Sequence, residues 1–288
     1  MRTRRADTPR ARSHAERLAS RDGYFAPESV IRRVGNTPVT PFLGGGAAVL
    51  LQVAHPLVAA GVAEHSAYEQ DIWRRLVRTL RALYLITYGS KAEADRVGAD
   101  VQAAHARVRG TTATRLGVFP AGTSYSAGDP ELMAWVHGTL VHASLCAYQR
   151  FERCLPRADQ ERYYREMTLV ARLFGTSAGV IPATLADFEE FFAAQIAGET
   201  IAVTEPAHEI ARVILRAPLP VPLRLIVPAH RLATAEALPP RIRREYGLHV
   251  RALHRPLLTA AGHGMRLGAL PILRVAGHVR PSLRVTTT

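Results

Sequence analysis

The chain has 288 residues, 48% of them apolar and 21% charged, a composition that excludes a disordered polymer and suits a folded protein burying about three quarters of its unfolded surface. Its net charge of +13 rests on 37 basic residues, of which only Lys91 is lysine. The arginines are spread along the chain, so specific nucleic-acid binding is not expected, while peripheral contact with an anionic membrane stays open.

Residues 1–22, with Arg2, Arg4, Arg5, Arg10 and Arg12, lack apolar periodicity and read as a mobile, solvated arm. No charged-then-apolar leader opens the chain, and the expected compartment is intracellular, cytoplasmic and reducing. From residue 23 onward the chain reads as a single all-α domain. The first strong helix is predicted over 45–64. The apolar stretch from 42 to 63 is long enough to span a bilayer, but Gln52, His55, Pro56 and the Gly44-Gly45-Gly46 run favour a buried core helix. Helices follow over 69–88, 91–109 and 130–155, the last opened by Asp129 as N-cap and Pro130 at the first helical position. Cys146 and Cys154 lie eight residues apart on that helix, about 12 Å in rise, too far to pair. Further helices are predicted over 158–174, 184–197 and 204–215. Beyond them Pro218, Pro220, Pro222, Pro228, Pro239 and Pro240 divide the chain into short pieces that wrap the domain.

The chain has twelve histidines, yet no HExxH helix, no CxxC pair and no phosphate-binding loop, so the zinc and nucleotide templates fail. On the helix 91–109, Ala94, Val97, Val101, Ala104 and Val108 form an apolar stripe with His105 on its edge, which turns that imidazole inward. By itself this fits a hydrogen-bonded core histidine better than a ligand. On the preceding helix Ile72, Leu76, Leu80 and Leu83 face the core, with Thr79 in the same arc and Arg75 at its border. An arginine there must meet a carboxylate, a carbonyl or a ligand anion.

Five motifs in order carry a resemblance: Leu50-Leu51-Gln52-Val53-Ala54-His55-Pro56, Glu64-His65-Ser66, Arg75-Leu76-Val77-Arg78-Thr79, His105-Ala106-Arg107-Val108-Arg109-Gly110 and Trp135-Val136-His137-Gly138-Thr139-Leu140. Glu161-Arg162-Tyr163-Tyr164-Arg165-Glu166 and the stretch from Leu238-Pro239-Pro240 to Tyr246-Gly247-Leu248 extend it. Together they resemble the latex-clearing rubber oxygenases and the ER-bound oxygenase of mycophenolic acid biosynthesis. The resemblance implies a globin-like helical core that binds haem b, with His105 as the proximal iron ligand and Arg75 and Thr79 beside the haem. It implies a haem-dependent oxygenase or oxidase that activates O₂ or peroxide against an apolar small molecule. Where rubber oxygenases carry an iron-capping lysine, this chain has Arg78, which cannot ligate iron. Glu64 is the nearest counterpart of their distal glutamate base, and His55 and His137 either line the distal pocket or are core histidines. The competing expectations are a haem carrier or gas sensor without organic substrate, and a cofactor-free basic protein binding anionic lipid or nucleic acid.

Overall fold

Helix breakers and caps set the element boundaries. The computed structural model describes residues 16–17, 20–37, 40–65, 72–216, 227–251, 256 and 258, with backbone alone at 42 and 72–77. Helix α1, Val30–Gly35, has its first two N–H groups satisfied by the Glu166 carboxylate, at 3.3 Å from Val30 and 2.6 Å from Ile31. A short π-helical turn, Thr40–Gly44, leads into α2, Gly45–Val53. Helix α2 is apolar nearly all round, with Gly46, Ala47, Ala48, Leu50, Leu51 and Val53 buried, and a helix of that kind must be enclosed.

The single helix expected over 45–64 is two helices. Pro56 has no N–H to continue the ladder, so α2 stops and α3 runs over Pro56–His65, the pair bent by 104°. His55 caps the new helix, its Nδ1 accepting from the Leu57 N–H at 3.2 Å. Among the described residues no single helix is long and apolar enough to cross a membrane.

Helices α4, Ile72–Tyr88, and α5, Lys91–Ala106, pack on each other as a helical hairpin joined by Gly89 and Ser90. Ser90 and Glu93 form a capping box at the start of α5. Glu93 also receives both Arg17 guanidinium nitrogens at 2.8 Å, so Arg17, read as part of the arm, is a docked side chain 8% exposed. Residues 1–15 of the arm lie outside the described residues.

Helix α5 ends three residues earlier than expected because the chain turns into a small antiparallel pair. Strands β1, Arg109–Thr111, and β2, Ser124–Ser126, align Gly110 with Tyr125. Helix α6, Pro130–Phe151, starts at the predicted cap: the Asp129 carboxylate accepts from Glu131 at 2.8 Å and Leu132 at 3.4 Å. Both cysteines are free. Then follow α7, Arg157–Leu173, α8, Leu185–Ala197, and α9, Glu205–Arg216. Two of the C-terminal pieces are helices, α10 over Val227–Ala237 and α11 over Pro240–Glu245.

Helix α2 lies at the centre, packed by α3, α6, α9 and α10. Trp135 of α6 is 1% exposed, donates its indole N–H to the Leu51 carbonyl at 3.2 Å and stacks on Phe192 of α8 at 5.6 Å. From α11, Arg241 reaches the carbonyls of Ile196 and Gly198 at 2.5 Å and of Ile201 at 2.6 Å, tying down the chain between α8 and α9. The fold class is all-α, with one small β-pair among the described residues.

Candidate functional site

The tight turn at 89–90 brings the start of α4 and the end of α5 to the same, open end of their hairpin. At 1.5 Å per residue, His105 lies about 22 Å from the turn and Arg75 about 21 Å, so the two stand level, with Thr79 about one helical turn nearer the bend. The last turn of α3 is clamped to the segment that follows α5. His65 Nε2 lies 3.2 Å from the Arg109 carbonyl, and the Tyr125 hydroxyl donates to Glu64 Oε2. Gly61 faces Val108 and the Tyr125 ring so closely that a β-carbon there would lie 3.5 and 3.4 Å from them. One pole of the molecule therefore carries Glu64, the first half of α4 with Arg75, Arg78 and Thr79, and His105.

Packing of α5 decides how His105 is held. Ala94 is buried, and so is Gly98, where a β-carbon would lie 2.5 Å from the Leu173 carbonyl, so this face lies flush on α7. Val97, Val101 and His105 are half-buried, while Ala104, expected on the apolar stripe, is exposed because the helix is ending. Within the half-buried imidazole of His105, Nδ1 is shielded from water and has no hydrogen-bond partner among the described residues. Desolvation pushes the pKa of the ring below its ordinary value. The ring is thus neutral at pH 7, with a nitrogen lone pair uncommitted. Arg78, Thr79 and Glu64 are exposed. Arg75 lies on α4, but its side chain falls outside the described residues.

His55 and His137 belong elsewhere. His55 opens α3, nine residues before Glu64, with its ring 5.5 Å from Phe119 and its pKa depressed to about 4 by burial. Its Nδ1 accepts the Leu57 N–H, so the neutral ring carries its proton on Nε2 and has no lone pair free for a metal. His137 is 6% exposed in the second turn of α6, with Nε2 buried and unpartnered among the described residues and a pKa lowered to about 4 by desolvation. Among the described residues, no three His, Cys, Asp or Glu side chains gather to hold a metal.

Sequence reasoning missed Tyr125. It is 5% exposed on β2, and burial together with its bond to Glu64 raises its pKa. The trace it leaves in the sequence is weak: a tyrosine between two serines, far from the quoted motifs. Gly110 was visible only as the end of the His105 motif.

Comparison with known protein families gives a match described as the catalytic domain of the ER-bound oxygenase mpaB/B' and rubber oxygenase, over residues 32–267. The chain belongs to this family. That span holds most of the chain and every pole residue, so this rubber-oxygenase relative is an oxygenase and thus an oxidoreductase. No curated protein and no solved structure matches it significantly.

Proposed function

We propose that this oxygenase uses haem b, held by His105, to oxidise an apolar small molecule with O₂ or peroxide. The observation that carries the reading is the His105 ring, neutral at pH 7, with a buried nitrogen that has no hydrogen-bond partner among the described residues. A buried polar atom left unpaired costs about 1–3 kcal/mol, and ligation of a metal by this ring would offset that cost. The haem would supply activation of the oxidant and the oxidative bond-breaking.

The chain's own residues supply the rest. His105 holds and orients. Arg75 and Arg78 offer guanidinium groups that match carboxylate anions such as those on haem b. Thr79, one turn from the level of His105, presents a hydroxyl to orient a reactant. Glu64, exposed on the last turn of α3, is placed to take a proton from substrate. Rubber, for which the family is named, is a hydrocarbon, which supports an apolar substrate class.

The test is the absorption spectrum of protein expressed with adequate iron, beside that of His105→Ala. Wild type shows a Soret band, and the variant keeps its helical circular dichroism while losing that band. Truncating a half-buried ring costs about 1–2 kcal/mol, which a fold of ordinary stability tolerates. A Soret band of undiminished strength in the variant removes His105 from the role, and no band in reconstituted wild type removes haem.

A further inference from the structure

Tyr125, Gly110 and Glu64 form an interlocked cluster. The phenol of Tyr125 lies across Gly110, its partner on β1, so closely that a β-carbon at position 110 would stand 2.5 Å from Oη, 2.8 Å from Cζ and 3.1 Å from Glu64 Oε2. Only a glycine lets the phenol pass over the strand and reach the carboxylate. The ring packs in one apolar cluster with Leu57, Ala60 and Leu132. His65 completes the arrangement, edge-on to Tyr125 with centroids 6.2 Å apart. One oxygen of Glu64 is thus tethered to a rigid, buried ring, although the glutamate itself is exposed.

We infer that Tyr125 is a positioning residue that holds the Glu64 carboxylate at the pole carrying His105, and that Gly110 is present to let it do so. An exposed glutamate on a helix end samples several rotamers, and a hydrogen bond from a buried phenol selects one. Catalytic groups need this kind of support, because a loosely held base is misplaced for most of the time. The cluster also gives the glycine of the His105 motif a physical reason: five residues after His105, it opens the space through which β2 reaches back to α3.

The inference rests on the haem reading above, and its test separates the two. The probe is carbon monoxide bound to the ferrous haem-loaded protein, whose infrared stretching band responds to charges and dipoles around the ligand. Wild type gives one narrow band. Glu64→Gln shifts that band, since a nearby negative charge has gone. Tyr125→Phe, which keeps the ring and its packing, splits or broadens the band as the freed carboxylate samples several positions. Gly110→Ala, which displaces the phenol without removing it, has the same effect should Tyr125→Phe prove unstable. In the Glu64→Gln, Tyr125→Phe double variant the band stays single and sits where Glu64→Gln alone puts it. A shift in Glu64→Gln with an unaltered band in Tyr125→Phe and Gly110→Ala overturns the positioning role. Unaltered bands in all the variants overturn the placement of Glu64 beside the haem. Absence of a Soret band from wild type defeats the haem reading and the inference with it.

Discussion

Gly110→Ala tests the close packing at the pole without any cofactor. Alanine in place of glycine ordinarily stabilises a strand by about 0.5–1 kcal/mol, because the unfolded chain loses freedom. Here the new methyl group would lie 2.5 Å from Tyr125 Oη and 2.8 Å from Cζ, so the ring must retreat by about 1 Å to restore van der Waals contact. It has little room, being 5% exposed and packed in one apolar cluster with Leu57, Ala60 and Leu132. Overpacking of this kind costs about 1–3 kcal/mol. Loss of the hydrogen bond to Glu64 adds about 1 kcal/mol, the low end for a charged acceptor because Glu64 is exposed. Net destabilisation is about 1–3.5 kcal/mol, a fall in Tm of roughly 2–14 °C for a domain of this size. Urea denaturation followed by circular dichroism measures it in the apoprotein. In a Tyr125→Phe background the hydroxyl clash and the hydrogen bond are already gone, so the same substitution costs about 1 kcal/mol less. A Gly110→Ala protein as stable as wild type or more so, or equal costs in the two backgrounds, refutes the packing described.

Three further outcomes are expected. Ferric haem-loaded wild type gives a high-spin electron paramagnetic resonance spectrum, since the Arg78 guanidinium offers iron no lone pair, whereas Arg78→Lys adds a low-spin, amine-ligated species; a purely low-spin wild-type spectrum that survives alanine at His55 and at His137 defeats this open site. Arg75→Ala and Thr79→Ala keep a Soret band but lose about 10- to 100-fold in turnover once an apolar substrate is in hand, and wild-type rates in both would detach these residues from the site. Stability falls with acid: His55 and His137 each have a folded pKa near 4 against an ordinary 6.5, so the neutral rings contribute fully above pH 6.5 and the contribution is lost as pH drops towards 4. At about 1.4 kcal/mol per pKa unit the loss amounts to several kcal/mol, and His137→Leu flattens the dependence of the urea midpoint between pH 7 and 4.5; an unchanged slope in that variant contradicts it.

Much of the helical frame was legible in the chain. Periodic apolar residues and the Asp129-Pro130 cap located α4, α5, α6, α7, α8 and α9 to within a few residues, because such a cap acts locally, through N–H groups two or three residues away. Pro56 was visible as an irregularity but not as a 104° bend, since its effect depends on the direction in which the core lets α3 leave. The β-pair was missed because strands of three residues are too short for an alternation to stand out. Arg17 was read as part of a solvated arm because its partner, Glu93, is 76 residues away.

The candidate site divides in the same manner. Sequence by itself determined the family through ordered motifs and turned His105 inward on its helix, because helical periodicity and motif spacing are properties of contiguous residues, whereas Thr79, expected in the core-facing arc, is exposed. Only the tertiary structure decided that His55 is a helix cap with its Nδ1 already engaged, that His105 keeps a buried nitrogen without a partner among the described residues, and that Glu64 is grasped by Tyr125 across Gly110. Those three facts concern which hydrogen-bonding groups are satisfied and by whom. The answer depends on contacts between segments as far apart as 61 residues, between Glu64 and Tyr125, and on the water that packing excludes, neither of which any local pattern records.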